Sequence, residues 1–135
     1  PHPENKAFAK KCKKNGITFV QLLSPTTSKN RMKKIINDSH NMIYYISQSS
    51  TTGGKLKVTP KNILKNYDNI KNLSKNKNCV IGFGITDKNI SKFKSANGVV
   101  VGSLNSKIIT NALKKYHNPV IKLTTMIKKL KNKII

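Results

Sequence analysis

The sequence predicts an α/β fold in which parallel strands alternate with helices, and three observations support this prediction. Short apolar segments rich in β-branched residues recur along the chain, and each is followed by apolar residues at helical spacing. These segments are apolar on both faces, as is typical of parallel strands covered by helices on both sides. Two of them, at residues 79–85 and 98–103, end in glycine and lead into a helix pattern. Four strand–helix units in succession predict half of a (β/α) barrel.

The first half of the chain predicts a helix and then two strands with a helix between them. The first helix is expected to begin at Pro3, where proline fits the first turn. Residues 17–23 and 42–46 predict the first two strands, and a helix capped by Ser28 is expected between them. The apolar stripes of these two helices are predicted at Ala7, Phe8 and Cys12, and at Met32, Ile35 and Ile36.

The second half predicts a loop, two more strands and four helices. Residues 47–59 lack periodicity and predict a mobile loop. A third strand is expected to begin at Cys79 and a fourth to span residues 98–101. Helix starts are predicted at Thr59, Thr86, Ser103 and Asn118. Their apolar stripes are predicted at Ile63, Leu64, Tyr67, Ile70 and Leu73; at Ile90 and Phe93; at Leu104, Ile108, Ile109 and Leu113; and at Val120, Leu123, Ile127 and Leu130.

The strands that end in glycine predict a phosphate-binding site. Because glycine lacks a Cβ, the backbone N–H groups of Gly84 and Gly102 can approach an anion closely. A helix N-terminus at Ser103 would add its dipole and its free N–H donors. Barrel enzymes often place such a site in the loops after their last two strands.

The chain is strongly basic, with 27 Lys and Arg against 4 Asp and Glu and a formal charge of +23. Such a charge is typical of nucleic-acid binding. However, Arg31 is the sole arginine, and the lysines are spread over the whole length rather than clustered. We therefore expect solvated lysine faces and no specific nucleic-acid partner. The sequence contains no leader-like segment or long apolar run, so no signal peptide and no membrane partner are expected.

The cysteines and histidines do not predict a metal site. Cys12 and Cys79 have no CxxC spacing, and both are expected to be buried thiols in a reducing cytoplasm. His2, His40 and His117 are isolated from one another in the sequence, so no metal ligand or acid–base role is predicted for them.

Four motifs resemble the tryptophan synthase alpha subunit in order and approximate spacing. They are residues 44–47 (Tyr-Tyr-Ile-Ser), 51–53 (Thr-Thr-Gly), 82–86 (Gly-Phe-Gly-Ile-Thr) and 102–103 (Gly-Ser). The resemblance covers essentially the whole chain. It implies that residues 1–135 are a single partial domain, the C-terminal half of a (β/α)8 TIM barrel with strands five to eight.

The resemblance also implies an activity and partners. That family cleaves indole-3-glycerol phosphate to indole and glyceraldehyde 3-phosphate in tryptophan biosynthesis. It passes the indole to a beta subunit within an alpha2-beta2 tetramer. The pyridoxal phosphate lies on the beta subunit, so no cofactor is expected in this chain.

The resemblance further implies roles for nine residues. The substrate phosphate would be held by Gly53, Gly84, Gly102 and Ser103. The indole pocket would be lined by Leu22, Tyr44, Phe83 and Val100. Thr52 would lie on a closing loop and help to orient a catalytic carboxylate.

The catalytic carboxylates themselves are expected to lie outside this chain. The glutamate and aspartate of the family belong to its N-terminal half, and the loop departs from the family pattern at Ser50 and Thr51. Retro-aldol cleavage needs a general acid and a general base near the substrate. Glu4 and Asp87 are expected in first turns of helices, where they complement the dipole. Asp38 and Asp68 are expected to be solvated, which leaves no catalytic residue.

Two other functions fit part of this pattern. A different phosphate-binding barrel enzyme, such as an indole-glycerol-phosphate synthase or a phosphoribosyl isomerase, would share the glycine turns. A basic binding module without enzymatic activity would account for the charge.

Overall fold

Four parallel strands form one sheet in the computed structural model, which describes residues 2–47 and 58–135. Their spatial order follows the chain order, so each connection crosses over to the neighbouring strand. The strands are β1 (Gln21–Leu23), β2 (Met42–Ile46), β3 (Asn78–Gly82) and β4 (Gly98–Val99). The helices are α1 (Lys6–Lys14), α2 (Lys29–Asp38), α3 (Pro60–Leu73), α4 (Gly102–Lys114) and α5 (Pro119–Asn132), with a 3₁₀ helix at Ile90–Phe93.

The two faces of the sheet have different environments. Ile43 pairs with Cys79 and Tyr45 pairs with Ile81, and these four side chains are fully buried beneath the helices. The opposite face carries a second row in which Leu22, Tyr44 and Val80 are in register. Leu22 is 55% exposed, and Tyr44 and Val80 are half-buried. The sequence predicted that helices cover both faces of the sheet. Within the described residues, helices cover the face of Ile43 and Tyr45, whereas the face of Leu22 and Tyr44 stays partly exposed.

The core lies between the sheet and helices α2 and α3. It is built by Leu23, Ile35, Ile36, Ile43, Tyr45, Ile63, Tyr67, Ile70, Cys79, Ile81, Ile85, Ile90, Phe93 and Leu130. Most of the helical side chains in this core belong to the predicted stripes of α2 and α3, so the helical spacing located the core correctly in this region. Both cysteines are buried as predicted. Burial raises the pKa of the Cys79 thiol to about 12, so the thiol stays protonated and unreactive at neutral pH.

The first predicted strand is wrong in length, because only three of the seven residues at 17–23 form β1. The Ile17 N–H donates to the carbonyl of Cys12 at 2.9 Å and so continues the end of α1. The Phe19 N–H donates to Nδ1 of His40 at 3.1 Å. These backbone groups are bonded outside the sheet, so the apolar pattern predicted a strand where the ladder does not extend.

Two helix starts also differ from the prediction. Helix α1 begins at Lys6, and Glu4 lies in the turn before it. No α-helix follows Thr86; instead Asp87 lies in a turn before the short 3₁₀ helix. The placement of Glu4 and Asp87 in helical first turns was therefore wrong, although Ile90 and Phe93 are buried as predicted.

The stripes of the two C-terminal helices were only partly right. In α4, Leu104 packs against the core but Ile109 and Leu113 are exposed. In α5, the predicted Leu130 is buried and Leu123 is half-buried, but Val120 and Ile127 are exposed, and Met126, which was not predicted, packs against the core. Each helix carries apolar residues on more than one side, so helical spacing alone could not select the buried side.

Lysine side chains also donate to backbone carbonyls at helix ends and turns. The Lys77 ammonium donates to the carbonyls of Ile36 and Ser39, at the end of α2. Burial lowers the pKa of Lys77. The Lys133 ammonium donates to the carbonyl of Asp87 at 2.5 Å. Among the helices that the structure describes, none is both long and apolar enough to cross a membrane.

Candidate anion-binding site

A small cavity lies at the carboxyl ends of β2, β3 and β4. Its volume is about 80 Å3, which is on the scale of one phosphate group. Seven residues line it: Tyr44, Phe83, Gly84, Ile85, Val100, Gly102 and Ser103. Six of these seven residues were predicted as site residues from the sequence. The structure therefore brings together residues that are up to 59 positions apart in the chain.

The N-terminus of α4 forms one wall of the cavity. The helix begins at Gly102, one residue earlier than predicted, because Val101 is already the N-cap residue. Val101 has no side chain that could accept from the first N–H groups, and the first turn contains no acidic residue. These N–H groups and the helix dipole favour an anion at this position.

Gly102 is not required by the packing of the described residues. A Cβ at this position would meet no atom within 4 Å, and the backbone φ is not positive. The fold therefore does not explain the glycine at this position, whereas the close approach of an anion to the backbone would explain it.

The turn after β3 forms the opposite wall. Phe83 and Gly84 adopt consecutive left-handed conformations, with φ of 71° and 66°. This conformation costs a non-glycine residue about 1–2 kcal/mol, so the turn must be held by its surroundings. The hydroxyl of Ser47 lies within hydrogen-bond distance of the carbonyls of Gly82 (2.8 Å) and Phe83 (2.7 Å). On the other side, the Asn89 amide donates to the carbonyl of Gly84 at 2.9 Å.

Gly82 has a packing role in the same turn. A Cβ at Gly82 would lie 1.8 Å from Oη of Tyr44 and 2.2 Å from its Cζ. The Tyr44 ring thus lies directly over the Gly82 backbone, and a side chain at Gly82 would require the ring to move. The sequence pattern indicated that this glycine ends a strand, and the structure shows that it also seats an aromatic ring.

An aromatic pair lies beside the cavity. The rings of Tyr44 and Phe83 meet edge to face, with centroids 6.5 Å apart and an interplanar angle of 88°. Burial raises the pKa of the Tyr44 phenol, which therefore remains neutral at physiological pH. The pair gives the rim of the cavity an apolar surface next to the anion-binding backbone.

Three predicted site residues are not placed in the cavity. Leu22 does not line it, although it is in register with Tyr44 on the same face of the sheet. Thr52 and Gly53 lie outside the described residues. Conversely, sequence reasoning missed Ile85 as a lining residue, and it missed Ser47 and Asn89 as partners of the turn. Ser47 was noted only as part of a strand motif, and an isolated asparagine gives no signal in a sequence.

None of the four carboxylates lines the cavity, and all four lie in the described residues. Asp38 is exposed as expected, and its Oδ2 also lies 2.6 Å from Nε2 of the buried His2 and 2.8 Å from the ammonium of Lys6. The His2 hydrogen bond and the Lys6 contact lower the pKa of Asp38. Asp68 is exposed as expected. Residues 2–47 and 58–135 contain no cluster of three or more metal-binding side chains.

The class of protein follows from the sheet and the position of the cavity. A parallel sheet in chain order with interleaved helices is part of a (β/α) barrel, and in such barrels the functional site lies at the carboxyl ends of the strands. A sequence profile of the family described as tryptophan synthase alpha chain matches residues 1–135. The chain therefore belongs to the tryptophan synthase alpha chain family, and the two alternative barrel families do not apply.

Individual relatives agree with this assignment. The tryptophan synthase alpha chain of Pelagibacter ubique is 63% identical over 134 residues, which cover 99% of this chain and 51% of that one. The alpha subunit of Legionella pneumophila superposes with a TM-score of 0.81 at 25% identity, covering 97% of this chain and 47% of that chain. A structure of the tryptophan synthase a2b2 complex from Pyrococcus furiosus gives a TM-score of 0.74 at 26% identity. The match covers 97% of this chain and 51% of that chain.

The chain spans about half the length of the curated relatives it matches. The fold prediction is confirmed, since the four-stranded parallel sheet matches the barrels of this family over that length.

Proposed function

We propose that this chain is the phosphate- and indole-binding half of a tryptophan synthase alpha subunit. The whole subunit would cleave indole-3-glycerol phosphate to indole and glyceraldehyde 3-phosphate by a retro-aldol reaction. The chain would be the C-terminal half of the barrel. The observation that carries this proposal is the cavity at the carboxyl ends of β2 to β4, which lies between the Phe83–Gly84 turn and the N-terminus of α4.

The substrate phosphate would bind between the two turns. Gly84, Gly102 and Ser103 line the cavity, so the two glycines would present backbone N–H groups to the phosphate and Ser103 would add a hydroxyl that can donate to a phosphate oxygen. The chain carries +23 overall, and no carboxylate lines the cavity, so the electrostatic environment favours a dianion. Gly53, on the same proposed closing loop as Thr52, would complete the phosphate site.

The indole ring would lie along the face of the sheet that the helices leave open. Tyr44, Phe83 and Val100 line the cavity, and Leu22 continues the Tyr44 row toward β1. These side chains supply apolar contacts for a planar ring, and the exposed Leu22 would be covered when the ring binds.

The proton transfers would come from the remainder of the subunit. The cleavage needs a general base and a general acid within hydrogen-bond reach of the substrate. No carboxylate of this chain lies in the cavity, and Asp38 is engaged with His2 and Lys6. Substrate binding and proton transfer would therefore be divided between the two halves of the barrel.

A beta subunit is the proposed protein partner. The Pyrococcus furiosus protein forms an a2b2 complex, and this chain superposes on that structure over 97% of its length. The pyridoxal phosphate of such a complex would be held by the beta subunit, and no cofactor is assigned to this chain.

The first test is calorimetric titration of the chain with glycerol phosphate. We expect binding that weakens with salt, and complete loss of binding in Gly102→Val, whose isopropyl group would occupy the anion position. Because a Cβ at Gly102 meets no atom within 4 Å, this variant is expected to fold. Asn111→Val is the matched control, since it adds a β-branched residue to an exposed position of the same helix.

The second test restores a complete barrel. In a chimera, this chain replaces the matched half of the Pelagibacter ubique alpha chain, and the release of indole from indole-glycerol phosphate is measured. We expect activity from the chimera and none from the chain alone. Absence of phosphate binding in both the chain and the chimera, or unchanged binding in Gly102→Val, would refute the phosphate assignment.

A further inference from the structure

Ser47 is a fully buried serine at the edge where the cavity lies. It directly follows β2, and its N–H donates to the carbonyl of Gly82 at 3.0 Å. Its hydroxyl lies 2.8 Å from the same carbonyl and 2.7 Å from the carbonyl of Phe83. A hydroxyl has one proton, so this donor is shared between two carbonyls of the turn. Ser47 does not line the cavity itself.

These contacts fix the direction of the N–H groups that follow. In a planar trans peptide, the carbonyl of one residue and the N–H of the next point in opposite directions. Holding the Phe83 carbonyl toward Ser47 therefore directs the Gly84 N–H away from Ser47. Gly84 lines the cavity, so this N–H is the group whose direction matters for an anion.

Asn89 holds the same turn from its other end. Its side-chain amide donates to the carbonyl of Gly84 at 2.9 Å, and its oxygen accepts from the N–H of Thr86 at 2.7 Å. Three successive carbonyls, from Gly82 to Gly84, are thus bonded to side chains. The left-handed Phe83 would otherwise relax toward a more favourable backbone conformation, because it lacks the freedom of glycine.

We propose that Ser47 and Asn89 are positioning residues that set the Gly84 N–H for binding of the substrate phosphate. The proposal rests on the proposed function, because it assumes that the cavity binds phosphate. Neither residue touches the anion. Each acts through the backbone of the Phe83–Gly84 turn, which it holds in the conformation that an anion requires, so that little ordering is needed on binding.

The test compares Ser47→Ala with Ser74→Ala. Ser74 is also buried and also donates its hydroxyl to a backbone carbonyl, that of Ile70 at 2.7 Å, but it lies away from the cavity. Both variants lose a similar hydrogen bond, so both should lose similar stability in urea. We expect the dissociation constant for glycerol phosphate to rise about tenfold in Ser47→Ala and to stay within about twofold of the parent in Ser74→Ala.

Nitrogen–proton NMR spectra provide a readout that stability alone would not change. In the parent chain, glycerol phosphate should shift the amide signals of Gly84 and Gly102. In Ser47→Ala, the Gly102 shift should persist while the Gly84 shift is lost. Ser47→Thr, which keeps the hydroxyl, should restore the Gly84 shift in part.

Asn89→Ala keeps the proposal testable if Ser47→Ala does not fold, since Asn89 is only half-buried. Its matched control is Asn118→Ala, which removes a side chain that caps α5 away from the cavity. In the chimera, the Asn89 variant should raise KM for indole-glycerol phosphate with kcat within about twofold, because the phosphate is remote from the reacting bond.

The outcomes separate this proposal from the proposed function. If the parent chain and the chimera bind no phosphate, the proposed function fails. If the parent binds phosphate and both Ser47→Ala and Asn89→Ala bind it equally well, the positioning roles are refuted and the phosphate site stands. Equal weakening in Ser47→Ala and Ser74→Ala would also refute them, since that result indicates a general loss of structure.

Discussion

The two turns that flank the cavity use glycine for different reasons. At the end of β3, Gly82 is required by the fold, because the Tyr44 ring occupies the space that a Cβ would need. At the start of α4, Gly102 meets no described neighbour and has an ordinary φ. The first turn is also held by side-chain hydrogen bonds, whereas the N-cap of α4 makes none. A glycine that the fold does not need is the stronger indication of a ligand.

The largest expected effect on stability comes from adding a methyl group at Gly82, and the same change at Gly102 is its control. Gly82→Ala should lower the free energy of unfolding by about 1–3 kcal/mol, because the Tyr44 ring must move from its position over the turn. Gly102→Ala should leave it within about 0.5 kcal/mol of the parent value. Urea denaturation measures both. Equal losses would show that the two glycines do not differ.

A second substitution isolates the cause of the Gly82 effect. Tyr44→Leu removes the far end of the ring that a Cβ at Gly82 would meet. In that background, Gly82→Ala should cost much less, and the double-mutant cycle should show a coupling of about 1 kcal/mol or more. Additive losses would mean that the Gly82 backbone, and not the Tyr44 ring, demands glycine.

A charge placed at the second turn should separate stability from binding. Gly102→Asp puts a carboxylate at the first residue of α4, where the dipole and the free N–H groups favour it, so stability should rise by about 0.3–1 kcal/mol. The same carboxylate should abolish phosphate binding by occupying the anion position and repelling the ligand. Thermal unfolding at low and high salt, together with glycerol phosphate titration, checks both effects. Retained phosphate binding would place the anion elsewhere.

The order of elements could be predicted from the sequence because its signals are local. Helical spacing around Ile63, Tyr67 and Ile70 located the core, and strands ending in glycine located the two turns. Local signals also explain why the Gly84 and Gly102 turns were found without a structure. The spacing of apolar residues says nothing about where the ladder stops, so the length of β1 was overestimated.

The remainder of the site depends on contacts between distant parts of the chain. The hydroxyl of Ser47 contacts the carbonyl of Phe83, which is 36 residues away in the chain, and no sequence pattern near Ser47 predicts that contact. The close approach of the Tyr44 ring to the Gly82 backbone likewise depends on the parallel register of β2 and β3. The hydrogen bond between Asp38 and His2 was not predicted, because the two residues are 36 positions apart in the chain. Such pairings follow only from the folded arrangement.

The smallest expected effect concerns pH and lies away from both turns. Residues 82–86 and 100–103 contain no carboxylate, histidine or lysine, so neither turn changes charge in mild acid. Asp38 does change charge in this range. Its hydrogen bond with His2 and its contact with Lys6 hold its pKa in the folded state below the usual 3.8. A carboxyl group with a lowered folded pKa contributes stability above its unfolded pKa and loses that contribution as pH falls through the folded value.

The parent should therefore lose about a few tenths of a kcal/mol more than Asp38→Asn as pH falls below about 4, because the pair is partly exposed. Urea titrations of both chains at a series of pH values measure this difference, and parallel curves would remove Asp38 as the source of acid sensitivity. Neither turn contains a group that changes charge in mild acid. If acid weakens glycerol phosphate binding to Asp38→Asn, the loss should therefore have the pH dependence of protonation of the phosphate itself.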